Sequence, residues 1–231
     1  MSQPGGAVPP PPPCLDAQTM RERLKAIRVV SRGRGWLAVD KPPGVLSVPG
    51  KGEAGELSVV SWLMEHEPRA GGPITVHRLD MDTSGLLLVA LNAPTQRALS
   101  MQFEARTVDK SYTAVVSGRL TPDTGVFDAP MRLDVPNRPR QVIDFQQGKQ
   151  AVTNYRVLSA APGRARVELV PVTGRTHQLR VHCAYAGHPI LGDPIYGDRT
   201  PAPRLLLHAT RLAFTDPTTG ERITIESPPA F

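Results

Sequence analysis

The stretch that most constrains this chain is Gly85-Leu-Leu-Leu-Val-Ala90, an apolar run with no polar position for water. Strands that alternate have one wet face. An unbroken run of this length bounded by turn residues reads as a strand buried in the interior. Directly ahead of it stand His77, Arg78, Asp80 and Asp82 in HRLDMDTSG. The sequence therefore delivers two carboxylates, a guanidinium and an imidazole to the mouth of a buried strand.

Around this strand the pattern predicts further elements. LSVVSWLMEHE and PTQRALSMQFEAR carry helical periodicity, and QLRVHCAYAG reads as a third helix. WLAVDKPPGVLSVP reads as a strand, a Pro-Pro-Gly turn and a second extended piece, and KSYTAVVSG as a strand. AVTNYRVLSAA and RARVELVPV form a hairpin about Pro162-Gly163, and RLLLHATRLAFT pairs with ERITIESP. Strands outnumber helices without regular alternation. The expected class is α+β on a long mixed, mainly antiparallel sheet, with one principal domain.

MSQPGGAVPPPPPC has five consecutive prolines and cannot pack a core, so residues 1–27 read as a disordered tail with a possible short helix capped near Asp16. The folded domain is expected over residues 28–231. Two cysteines exclude a disulfide framework and a four-ligand zinc site, and fit a reducing cytosol. No apolar run reaches the ~18 residues of a membrane span, and the N-terminus lacks a signal-peptide pattern.

Twenty-seven Lys and Arg against 21 Asp and Glu give a net charge of +6, which favours a polyanionic partner. The excess is concentrated. Arg132 to Arg180 hold nine basic and three acidic residues, an excess as large as that of the whole chain. Arg138, Arg140, Lys149, Arg164, Arg166 and Arg180 form a basic stripe of the kind that binds a polyanion such as nucleic acid or a membrane surface.

Asp80 beside a cation can serve as nucleophile or base, since nearby opposite charge favours the charged form of a carboxylate. DTSG has one residue too many for the Asp-Thr-Gly of aspartic proteases and occurs once. Asp80 and Asp82 as a glycosidase-like pair sit on one element, whereas such pairs need ~5 Å or more between carboxyls and come from separate elements. His177 and His182 are five apart, off the spacing of helical metal ligands, and no third ligand is evident. No metal is inferred.

Taken together, HRLDMDTSGLLLVA, LAVDKPPGVLSVPG, KSYTAVVSG, TGRTHQLRVHCAYAGHPILGDPIYG and RLLLHATRLAF resemble, in order, the blocks of the RluA family of pseudouridine synthases. The resemblance covers about residues 30–231. It implies the pseudouridine synthase fold with an RNA cleft, no cofactor, and RNA as partner, the protein working in the cytoplasm as a monomer. It makes Asp80 the catalytic carboxylate and Tyr112 the active-site tyrosine that stacks on uracil. Arg175 becomes the arginine that pairs with Asp80. Arg78 would brace the gap left by the flipped base, beside His77 and Thr83, while Leu206 or Leu207 would wall the base. Arg138, Arg140, Arg166 and Arg180 would contact the RNA. DVPNRPRQ, GKQAVTNYRV and ESPPAF resemble the branch acting on both a transfer RNA anticodon stem-loop and a large-subunit ribosomal hairpin. The family's frequent S4 domain is not expected here. Two other readings compete with this one. An inactive RNA-binding module would not need Asp80, Tyr112 and Arg175 together, and a carboxylate-pair hydrolase would need Asp82 as much as Asp80.

Overall fold

The computed structural model describes residues 16–68, 70–71, 74–197, 200 and 202–231. The proline run expected to be disordered lies outside them. The first described element is α1 (Ala17–Leu24), capped by Asp16, whose carboxylate accepts the Thr19 N–H at 2.9 Å. Met20, Leu24 and Ile27 are buried in the main core, so packing extends N-terminal to residue 28.

The chain continues through β1 (Arg28–Gly33), β2 (Trp36–Lys41), α2 (Glu53–Glu56), α3 (Val59–His66), β3 (Ser84–Ala90) and α4 (Ala93–Glu104). Next come β4 (Asp109–Ser117), β5 (Thr124–Asp128), β6 (Met131–Leu133), β7 (Gln141–Ile143), β8 (Val152–Ala161) and β9 (Arg164–Pro171). The last elements are α5 (Gln178–Tyr185), β10 (Leu207–Thr215) and β11 (Arg222–Glu226). Nine strands form one sheet in the order β1-β2-β3-β10-β4-β9-β8-β5, with β11 also paired to β10. Its strand pairs are antiparallel except β3 with β10, which run parallel through Ser84–His208 and Gly85–Ala209. This is the α+β mixed sheet that the pattern predicts. β6 and β7 form a separate two-stranded hairpin.

Every residue of β3 is buried, as its unbroken apolar run requires. Leu86 to Val89 pack with Trp36, Leu37, Trp62, Leu63, Leu99 and Phe214 into the main core under α1, α3 and α4. A second core joins β4 and β9 to α5 through Ala114, Val116, Val167, Leu169, Leu179 and Cys183. Tyr112 packs against both, which places it at the seam. A third, small cluster of Met131, Ala151 and Val181, with Ile143 and Tyr196 against it, seats the β6–β7 hairpin on α5.

Candidate active site

The parallel junction of β3 and β10 fixes where the charged loop emerges. Gly85 has φ +107, and a Cβ there would run into the backbone of Ala209, so only glycine lets the two strands close at this point. The loop ahead of it is held on both sides of Asp80. Ser47 Oγ accepts the Leu79 N–H at 3.0 Å and donates to the Leu79 carbonyl at 2.8 Å. Lys41 Nζ donates to the carbonyls of Met81 (2.8 Å), Val45 (2.8 Å) and Pro42 (3.1 Å), and Gly44 N–H reaches the same Met81 oxygen at 2.8 Å. Residues 79 and 81 thus cannot move without breaking bonds to residues 41–47. Lys41 has no exposure, and burial pushes its ammonium down to about 7, against the opposing charges of Asp82, Asp80 and Asp40.

Asp80 lines a cleft of ≈ 860 Å³, together with Tyr112, Thr83, Leu179, Leu207 and Arg180. The Asp80 carboxylate lies 3.7 Å from Arg180 and 4.0 Å from His177 Nε2. Arg180 is buried behind it and grips Asp193 in a two-pronged pair, both bonds 2.7 Å, while Asp193 Oδ1 also accepts the N–H groups of Ile195 and Tyr196. A guanidinium fixed by one carboxylate presents its remaining edge to the other. Burial alone would lower the Arg180 pKa, but its bonds to Asp193 outweigh that and hold the charge in place.

The pairing expected of Arg175 is therefore made by Arg180. Arg175 stands on the exposed turn before α5, its Nε donating to the Gln150 carbonyl at 3.1 Å, and reaches the cleft only as part of the rim. The cause is local. Gln178 Oε1 accepts the Arg175 N–H and the Thr173 hydroxyl, which folds the turn outward, and the first turn of α5 then directs Arg180 inward. For the same reason Arg180 is not a member of a surface phosphate stripe.

Tyr112 is half-buried opposite Asp80; burial first, and the Asp80 charge second, push its phenol above the ordinary range, so it stays a neutral hydroxyl. Thr83 is buried in the cleft wall, and its N–H reaches the Asp80 carbonyl at 3.2 Å. Leu207 lines the same wall, whereas Leu206 faces a separate groove with Arg164, Arg166 and Phe231. Arg78 is exposed at the mouth and, among the described residues, has no hydrogen bond or ion pair. His77 turns inward instead: its Nε2 accepts the Leu88 N–H at 2.9 Å and its ring stacks on Phe103 at 4.5 Å. Burial pushes it down to about 3, so it meets the cleft as a neutral ring.

Arg138 and Arg140 stand on the hairpin segment before β7, outside the cleft lining, and Arg164 and Arg166 flank the second groove. The expected stripe is thus two separate basic regions. Further cations that the sequence reading did not single out line the cleft, namely Arg106, Lys110 and Arg211. Lys110 stands two residues before Tyr112 in KSYTAVVSG, the signal by which the sequence could have shown it. Asp82 does not line the cleft; it is half-buried, and burial raises its pKa. A paired-carboxylate hydrolase has no second carboxylate to offer at that position.

A half-buried carboxylate and tyrosine where two cores of a mixed sheet meet, in a cleft with a cationic rim, define an enzyme acting on a polyanion. The family model described as RNA pseudouridylate synthase matches residues 35–185, and the chain belongs to that family, the isomerases of RNA uridine. Among its relatives is the dual-specificity RNA pseudouridine synthase RluA of Escherichia coli (strain K12), 46% identical over 199 residues, 84% of this chain and 90% of the relative. The protein of the same name from Pasteurella multocida is 45% identical over 200 residues, 85% and 90% of the two chains. Of solved structures, human RNA pseudouridylate synthase domain containing 1 matches with TM-score 0.76 and 32% identity, over 90% of this chain and 85% of that one. Human RNA pseudouridylate synthase domain containing 4 shares the fold, with TM-score 0.71 and 24% identity over 93% and 92%.

Proposed function

We propose that this chain converts uridines to pseudouridine in two RNAs, a transfer RNA anticodon stem-loop and a large-subunit ribosomal hairpin, in the cytoplasm. The observation that carries the chemistry is Asp80 set in a cleft between Tyr112 and the Arg180–Asp193 pair. In the reaction the bond from ribose C1′ to uracil N1 breaks, the base turns, C1′ bonds to C5, and the C5 proton is exchanged for one on N1. Atoms and electrons balance within the nucleotide, so the chemistry calls for no redox partner. Asp80 serves either by attacking the sugar or by removing a ribose proton as the glycosidic bond opens. Tyr112 supplies a ring to stack on the uracil and a neutral hydroxyl near C5, and Leu207 walls the base. Extrusion from the stack costs a few kcal/mol, and the unpartnered Arg78 is placed to brace the gap. The cationic rim and the hairpin arginines Arg138 and Arg140 meet phosphates, as does Arg166 beyond the cleft.

The dual specificity is supported by the similarity to the RluA proteins, whose name states it. A single chain with one cleft grips a short folded RNA, and loop bases cost least to flip. An isolated anticodon stem-loop is therefore modified about as fast as the whole transfer RNA, as read by pseudouridine mapping after single-turnover incubation. Modification of the complete transfer RNA alone, or of assembled ribosomal particles alone, would remove the dual assignment and leave the family intact.

A further inference from the structure

Tyr196 stands between the β6–β7 hairpin and the two groups that face the Asp80 carboxylate, touching Gln141 and Arg140 on the hairpin side and His177 and Arg180 on the other. Two guanidinium groups lie over its ring, Arg180 at 5.3 Å and Arg140 at 5.7 Å from the centroid. Its hydroxyl accepts the Gln141 N–H of β7 at 2.8 Å and meets His177 Nδ1 at 2.8 Å. Those are the hydroxyl's two hydrogen-bond neighbours among the described residues, and the arrangement that gives its own proton a protein acceptor sends it to Nδ1. The imidazole then carries its proton on Nε2, the nitrogen 4.0 Å from the Asp80 carboxylate. Burial lowers the His177 pKa, in keeping with a neutral ring, although Asp80 and Asp193 oppose that and Arg180 and Arg78 add to it. His177 itself sits in a left-handed backbone conformation, φ 56, at the start of α5, a position that packing has to hold. Tyr196 also packs with Met131, Ile143 and Val181, the small core that attaches the hairpin to α5.

We propose that Tyr196 is a positioning residue that couples the seating of the β6–β7 hairpin to the orientation of Asp80, through His177 on one side and Arg180 on the other. The inference rests on the reading that Arg138 and Arg140 meet RNA. A hairpin drawn onto phosphates carries the Gln141 amide and the Arg140 guanidinium with it, and Tyr196 converts that placement into the setting of the two groups facing the carboxylate. Binding energy from a remote contact is thereby used at the reacting centre.

The test is Tyr196→Phe, which keeps the ring and removes the relay. At saturating stem-loop RNA its single-turnover rate falls about tenfold, the worth of one hydrogen bond, while RNA affinity stays within about twofold. Arg140→Gln, a substitution on the half-exposed hairpin segment, also slows the saturated rate, and the double variant loses less than the product of the two single losses, because the ring that Arg140 places is the ring that carries the hydroxyl. A Tyr196→Phe rate equal to that of the unchanged protein, or losses that multiply, would overturn the coupling. If the unchanged protein forms no pseudouridine on any RNA, the reaction assignment is what fails. The ¹⁵N imidazole spectrum still decides the relay: His177 Nδ1 reads as the unprotonated acceptor, and Tyr196→Phe shifts it towards mixed tautomers. An unshifted spectrum overturns the proposal.

Discussion

Removing the Arg180 guanidinium would leave the Asp193 carboxylate buried with only backbone N–H groups to satisfy it. Breaking a buried pair from one side costs about 3–5 kcal/mol, so Arg180→Gln is expected to lower the urea midpoint sharply as well as abolish turnover. Arg175→Gln loses one bond on an exposed turn and is expected to change stability by less than about 0.5 kcal/mol, with its saturated rate largely kept. Equal loss of rate in the two variants, with equal stability, would return the carboxylate partner's role to Arg175. Spacing could not separate these arginines, because a five-residue step across a turn and a helix start does not say which end faces inward. His77 shows the same limit: in sequence it adds a cation to the loop, but in the fold it is a neutral acceptor for Leu88. Its pKa of about 3 lies below the ordinary 6.5. As pH falls below 6.5 the unfolded chain takes up a proton that the native ring refuses, so stability is full above 6.5 and declines towards 3. At pH 5 this single group accounts for up to about 2 kcal/mol. Urea unfolding at pH 7 and pH 5 should show that His77→Gln flattens the decline by that amount. The remaining slope comes from His177, His182 and His208, which burial also lowers. An unflattened decline would mean that His77 is free to charge in the native state.

At the scale of elements, the segments with strong periodicity were legible. β3, α4, β4, the β8–β9 hairpin, α5 and the β10–β11 pair all stand where apolar pattern and turn residues put them. β1, β5, β6 and β7 were not: β1 is mostly exposed, β5 alternates weakly, and β6 and β7 are three residues long. Such strands are fixed by partners, which periodicity does not record. The segment 41–47 shows how a local motif acquires a distant role. DKPPGVLS reads as a turn between extended pieces, yet Lys41 and Ser47 hold the backbone on both sides of Asp80, Lys41 and Met81 being 40 positions apart in sequence. Lys41→Met tests this clamp. Between about 7 and 10.5 the unfolded lysine holds a proton that the native one lacks, so stability rises with pH there, and below about 7 the buried charge weighs against folding. Methionine removes that charge along with the three bonds, so it is expected to cost catalysis more than stability. The expected result is a single-turnover rate lower by about tenfold or more, with RNA affinity within about twofold. A rate that falls only in proportion to the folded fraction would reduce Lys41 to a stabilising residue.

For the whole molecule, the two main cores meet at the centre of one nine-stranded sheet, and the cleft opens at that meeting point. Tyr112 belongs to both cores, while Asp80 rises from the end of the most buried strand. Rigid packing on either side sets the carboxylate and the phenol in one cleft, which loops alone would hold less well. The motifs identified Asp80, Tyr112, Thr83 and either Leu206 or Leu207, and the fold brings the first three together with Leu207 into one cleft. Sequence could not show that the basic residues divide into a cleft rim, a hairpin and a second groove, because their separation is made by strand order. Nor does any helix among the described residues have the length and apolarity to cross a membrane. The central claim is that one carboxylate, Asp80, carries the isomerisation while its neighbour Asp82, outside the cleft lining, does not. Tritium release from RNA labelled at uridine C5 tests it most directly. Asp80→Asn is expected to bind RNA normally and release no tritium above background, and Asp82→Asn to retain turnover; near-normal release by Asp80→Asn would contradict the account.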